Sequence, residues 1–206
     1  MRVVVDWDGT VTERDALTMV VREFGDREVW DALAGRLGRD LSLNEVIARE
    51  VATVTASLDE VVAWVREHVR VRDGFHELAA RHRPLIVSNG FRELIEPVLE
   101  RERVDLEVVA NELDPQPGGW RAVFREGEAC VVCGERCKRW ALDPEPVVFV
   151  GDGSWGDRCA ALAADRVFAR DGLAATLERD GVPYEPFGDL HDVVAALARQ
   201  QRASST

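Results

Sequence analysis

Three short apolar runs in this chain each break off into small or acidic residues, and that recurrence restricts the fold more than any other feature. Val3-Val4-Val5 leads into Asp6-Trp7-Asp8-Gly9-Thr10-Val11-Thr12, and Leu85-Ile86-Val87 leads into Ser88-Asn89-Gly90. Val147-Val148-Phe149-Val150 leads into Gly151-Asp152-Gly153-Ser154-Trp155-Gly156-Asp157. Runs without polar alternation belong to strands buried on both faces, as in parallel sheets covered by helices. In open parallel sheets, ligands bind beyond the carboxyl ends of the strands. The expected class is therefore α/β, with Asp6, Asp8, Ser88, Asp152 and Asp157 in one crevice.

The chemistry of that crevice follows from its charges. Side chains two apart on extended backbone emerge on the same side, so Asp6 and Asp8 address one point. Carboxylates so gathered need a proton or a cation between them, and an all-oxygen site suits Mg²⁺. Gly9 allows the turn that follows, and Thr10 and Thr12 offer hydroxyls where a phosphate could sit. After Ser88, the backbone N–H groups of Asn89 and Gly90 at a helix start form a cradle for an anion. A metal, acidic groups and an anion cradle together make phosphoryl transfer the economical assignment.

Between the first two runs the chain reads as helices without strands. Asp15 is placed to cap Ala16 to Phe24, with Gly25 as the stop, and a second helix is expected from Glu28 to Leu37. Ser42-Leu43-Asn44-Glu45 and Ser57-Leu58-Asp59-Glu60 match the capping box and open helices to Val54 and Val69. Residues 15–70 are read as a helical cap inserted into a core of residues 1–14 and 71–206. Further on, Asp73 to His82 is a helix, and Phe91 to Glu100 is another that Pro97 should kink or restart. Leu106 to Leu113 and Trp120 to Phe124 flank a turn-rich spacer and predict a hairpin beside the pocket. Helices from Leu173 to Asp180 and Leu190 to Arg199 complete the pattern.

Composition narrows the partners. A net charge of −12 disfavours a nucleic-acid partner. No leader or membrane-spanning run is present, so cytoplasm is the expected location. Of the four cysteines, three lie in Cys130-Val131-Val132-Cys133-Gly134-Glu135-Arg136-Cys137. Closed zinc sites want four ligands, and Cys159 qualifies only if the fold returns it there. The preferred reading is of reduced, partly buried thiols packing a tight loop.

The polar ends, taken in order, resemble the four motifs of the haloacid dehalogenase-like hydrolase superfamily. Asp6-Trp7-Asp8-Gly9-Thr10 resembles the first motif, with Trp7 where Phe is commoner, and Ser88 the second. Lys138, the only lysine of the chain, resembles the third, and a compact point charge suits that role better than a planar guanidinium. Gly151-Asp152 with Asp157 resembles the fourth, although the acids are five apart where the family usually spaces them by four. The helical insert and the cysteine-Lys138 run are similar to the phosphoserine-phosphatase-like branch. The resemblance implies a Rossmann-like fold with helices on both faces, Mg²⁺ as cofactor and a small phosphorylated metabolite as substrate. It implies Asp6 as nucleophile, Asp8 as acid/base, and Ser88, Asn89, Gly90 and Lys138 around the phosphoryl group. It implies Asp6, the Asp8 carbonyl and Asp152 as metal ligands, with Asp157 supporting, and Asp15 near the substrate. No cap arginine matches the one that grips the carboxylate in phosphoserine phosphatases. A phosphomutase keeps the same motifs, and an idle scaffold with a zinc-bound cysteine loop is the reading from another class.

Overall fold

The computed structural model describes residues 1–142 and 146–204. Its first strand, β1 (Arg2–Val5), runs into a tight turn, Trp7–Val11, in which Gly9 takes φ +77° and Thr12 N–H returns to the Trp7 carbonyl at 3.0 Å. Four helices follow: α1 (Ala16–Phe24), α2 (Arg27–Leu33), α3 (Leu43–Val51) and α4 (Leu58–His68). Then come α5 (Phe75–His82), β2 (Leu85–Phe91), α6 (Arg92–Glu102), β3 (Val108–Asp114) and β4 (Arg121–Val123). The last third holds a 3₁₀ turn at Lys138–Leu142, β5 (Val147–Gly151), α7 (Arg158–Ala161), β6 (Arg166–Ala169), α8 (Asp171–Asp180), β7 (Glu185–Pro186) and α9 (Leu190–Ser204). Among the described residues, no helix is long and apolar enough to cross a membrane.

The strands form one sheet in the order β4-β3-β2-β1-β5-β6-β7, parallel except for the β3–β4 hairpin. Chain order runs outward from β1 in one direction and then, from β5, in the other. The switch point therefore lies between β1 and β5, where Val5 pairs with Val150. Alternate residues of the apolar runs feed opposite faces: Val3, Val5, Val148 and Val150 join one core cluster, and Val4, Val147 and Phe149 the other. This double burial explains the absence of polar alternation.

Several boundaries differ from expectation. The Ser88-Asn89-Gly90 segment is strand, not turn: β2 continues to Phe91, which pairs with Asn111 after a register shift. Pro97 lies inside α6 without ending it. Helix α2 stops at Leu33 because Gly35, at φ +74°, supplies the left-handed residue before Gly38 does. The hairpin exists but packs on the helical insert rather than beside the pocket. Trp120 donates from its amide to the Val54 carbonyl at 3.1 Å and from its indole to the Ala56 carbonyl at 3.0 Å. Helix α9 continues past Arg199 to Ser204.

Candidate active site

The carboxyl ends of β1, β2 and β5 open into a cavity of about 310 Å³. Its wall includes Asp6, Asp8, Asp15, Ser88, Asn89, Gly90, Lys138, Asp152 and Asp157, whereas Thr10 and Thr12 do not line it.

Asp6 continues the ladder for one more step, its amide donating to the Val150 carbonyl at 2.9 Å. The buried Lys138 ammonium donates to Asp6 Oδ1 and, at 2.6 Å, to Asp157 Oδ1. Burial alone would favour the neutral amine, but the charges of Asp157 and Asp6 outweigh it and hold Lys138 protonated well above the usual lysine range. Asp6 itself is pushed up, first by burial and then by the charge of Asp157.

Asp157 acts as a clasp. Its Oδ2 accepts from the amides of Asp152 at 3.0 Å and Gly153 at 2.8 Å, while Oδ1 receives Lys138. Both oxygens are engaged, with Lys138 and with the Asp152 loop, despite the five-residue spacing. Asp152 accepts from Thr10 Oγ1 at 2.6 Å. Burial, and then Asp157, raise its pKa to about 6. A Cβ on Gly9 would lie 2.3 Å from Asp152 Oδ2, so the turn needs glycine both for its positive φ and for this approach.

Asp8 points elsewhere. Its Oδ1 accepts from the Ala16 amide at 2.8 Å, and its Oδ2 accepts from Ser88 Oγ at 3.4 Å. Burial, with the charge of Asp15 next, lifts its pKa to about 8. Its side chain stands apart from the cluster of Asp6, Asp152 and Asp157, whose oxygens lie within 4.8 Å of one another. As a metal ligand, Asp8 is thus left with the backbone carbonyl that the resemblance implied.

The Ser88 hydroxyl accepts from the Gly90 amide at 2.8 Å, so that donor is already engaged. Asp15 is exposed at the rim and caps α1, accepting from the Thr18 amide at 2.6 Å. The hydroxyls expected to face a phosphate do other work: Thr10 holds Asp152, and Thr12 donates to the Arg14 carbonyl at 2.7 Å inside its own turn.

One carboxylate oxygen of Asp6 and one of Asp152 lie within 4.8 Å of each other. Carboxylates so placed, Asp6 buried and Asp152 half-buried, offer hard oxygen donors that fit a divalent cation such as Mg²⁺.

Two contributors escaped the sequence reading. The Arg72 guanidinium donates to the carbonyls of Gly9 at 2.7 Å, Thr10 at 2.9 Å and Thr12 at 3.2 Å, bracing the turn that carries Asp8. No local signal marks it. Glu50 lines the cavity from α3, and here a signal existed. It stands three residues after Ile47 and four after Val46, on the apolar face of its helix. The cysteines hold another difference, because the fold does return Cys159 to Cys130, Cys133 and Cys137.

Carboxylates flanking the switch point of a mostly parallel sheet define an α/β protein with its polar site at the strand ends, and the comparisons give its family. Residues 3–162 match the haloacid dehalogenase-like hydrolase family, and the chain belongs to it. It is an enzyme of the phosphatase kind within that family, as the motifs had implied. It is 31% identical to a 2-hydroxy-3-keto-5-methylthiopentenyl-1-phosphate phosphatase of Geobacillus kaustophilus (strain HTA426), over 95% of this chain and 94% of that one. It is 25% identical to the protein of the same name in Bacillus mycoides (strain KBAB4), over 96% of this chain and 95% of that one. A phospho-aspartyl intermediate analogue of phosphoserine phosphatase matches its fold with a TM-score of 0.70 at 19% identity, covering 94% of this chain and 97% of the other. A substrate-bound phosphoserine phosphatase complex gives 0.71 at 18%, covering 95% and 97%.

Proposed function

We propose that the protein is a Mg²⁺-dependent phosphatase that hydrolyses a small-molecule phosphomonoester through an aspartyl-phosphate on Asp6. The observation that carries this reading is the pairing of roles at one strand end. Asp6 is bonded to Lys138, while two residues on Asp8 accepts from Ser88, its pKa raised by burial. In the proposed first step, an Asp6 carboxylate oxygen attacks phosphorus as the bond to the leaving oxygen breaks, and Asp8 gives that oxygen its proton. In the second, Asp8 takes a proton from water, which attacks phosphorus, releasing phosphate and regenerating the Asp6 carboxylate. Ser88 and Lys138 offset charge on the phosphoryl oxygens. Asp6, Asp152 and the Asp8 carbonyl would hold Mg²⁺, which when bound supplies positive charge beside the phosphoryl group. Asp157 keeps Lys138 and the Asp152 loop in place.

Residues 15–70 serve in this reading as the cap. Leu17, Leu43, Val46, Ile47 and Glu50 line the same cavity. Among the described residues, Lys138 is the only cation in its wall, and it is already paired with two carboxylates. A leaving group bearing a carboxylate would find no partner, whereas a neutral, partly apolar one fits. The substrate named for the curated relatives has hydroxyl, keto and methylthio groups, so it is the first compound to assay. The free thiols accord with a cytoplasmic setting.

The test is phosphate release from p-nitrophenyl phosphate and from that compound, with Mg²⁺ and with EDTA. Turnover should require the metal. Asp6→Asn should lower kcat by about 10³-fold or more while circular dichroism is unchanged; hydrolysis persisting near the wild-type rate would exclude the covalent route.

A further inference from the structure

Behind the carboxylate cavity, Cys130, Cys133, Cys137 and Cys159 are all free, and their four Sγ atoms lie within 4.8 Å of one another. We propose that these sulfurs bind one structural Zn²⁺, and that the ion ties the segment carrying Lys138 to the segment carrying Asp157. Tetrahedral zinc with Zn–S bonds of about 2.3 Å sets its sulfurs ~3.8 Å apart, within the observed bound. Soft thiolates favour zinc over the hard cation proposed for the carboxylates, and four protein ligands close the site to water.

The loop is folded as such a site requires. The Val132 amide donates to Cys130 Sγ at 3.4 Å, and the Gly134 amide to the Cys130 carbonyl at 2.8 Å. Gly134 takes φ +73°, which reverses the chain just after Cys133. The Glu135 carbonyl then accepts from the amides of both Cys130 and Cys137, at 2.8 and 2.9 Å. Apolar burial does not explain the convergence: Val131 is 98% exposed, Val132 is 50% exposed, and Cys133 is itself exposed. A disulfide needs two sulfurs together, whereas here all four share one centre. Binding by four thiols would release four protons to solvent and involve no redox change.

The placement gives the ion a task. Cys137 directly precedes Lys138, and Cys159 follows Asp157 by two residues, on α7. An ion shared by both fixes the two backbones between which the Lys138–Asp157 bond is made. This positioning role rests on the proposed phosphatase reading, whereas the zinc site does not.

Metal analysis of the purified full chain separates the two. The wild type should carry one zinc per chain without visible absorbance. Cys133→Ser should lose the zinc and melt at lower temperature, and Cys133→His should keep it. With Mg²⁺ and p-nitrophenyl phosphate, Cys133→Ser should lower kcat by about 10-fold with little change in KM. Wild-type protein with little zinc and four reactive thiols, with disulfide pairs, or with the colour of bound iron overturns the site. Loss of zinc with kcat unchanged overturns the positioning role. If no phosphatase activity exists at all, the metal content still decides the first half.

Discussion

Glu50 lines the cavity from α3 and shows how the burial of one carboxylate bears on stability. No described residue pairs with its carboxylate, and burial, followed by the charge of Asp15, raises its pKa from the ordinary 4.5 to about 7. Between those values the native state keeps a proton that the unfolded chain has released, so this group lowers stability as pH rises through that window. Glu50→Gln should therefore raise the melting temperature more at pH 8 than at pH 5; an equal shift at both would contradict the account. Trp7 is fully buried, packs edge-on against Phe75 at 6.2 Å, and finds no partner for its indole N–H among the described residues. An unsatisfied buried donor costs about 1–3 kcal/mol, comparable to the loss of packing on shrinking the ring. Trp7→Phe should change unfolding free energy by less than about 1 kcal/mol in urea, well below an ordinary core truncation.

Elements were legible where local chemistry decides them. Both Ser42 and Ser57 cap their helices as expected, Oγ accepting from the amides of Glu45 and Glu60 at 3.3 Å. Only at Ser42 does the acid return the bond, Glu45 Oε2 accepting from the Ser42 amide at 2.8 Å. The two sequences look equivalent, and the difference lies in the side-chain conformation of Glu45. Ser42→Ala should cost about 1 kcal/mol, and Glu45→Ala should destabilise more than Glu60→Ala in urea unfolding; equal costs would count against the asymmetry. Gly35 and Gly38 both take a positive φ after α2, and the nearer one, Gly35, ends the helix. Ser88-Asn89-Gly90, turn-forming residues, stay in the strand because β3 pairs on either side of them, with Val87 and with Phe91.

At the scale of the whole molecule, the insert and the sheet share one core. Val20, Val21, Ile47, Val51, Val61 and Val65 belong to the same cluster as Ile86, Phe91 and Val150. Arg101 on α6 adds a bond to the Val69 carbonyl at the end of α4, at 2.7 Å. Unfolding should accordingly follow one transition, with far-ultraviolet circular dichroism and tryptophan fluorescence superimposed; an earlier loss of helix signal would show the insert melting alone. The sequence by itself determined the buried strands, the polar chemistry at their ends, the helix caps and the sole lysine, because periodicity, sterics and side-chain donors act over a few residues. Only the tertiary structure decided that Asp157 clasps Lys138, that Arg72 braces the first turn, that the hairpin packs on the insert, and that Cys159 joins three distant sulfurs. Those contacts join residues far apart along the chain, and their meeting depends on strand order and on how the faces pack, which no local pattern encodes.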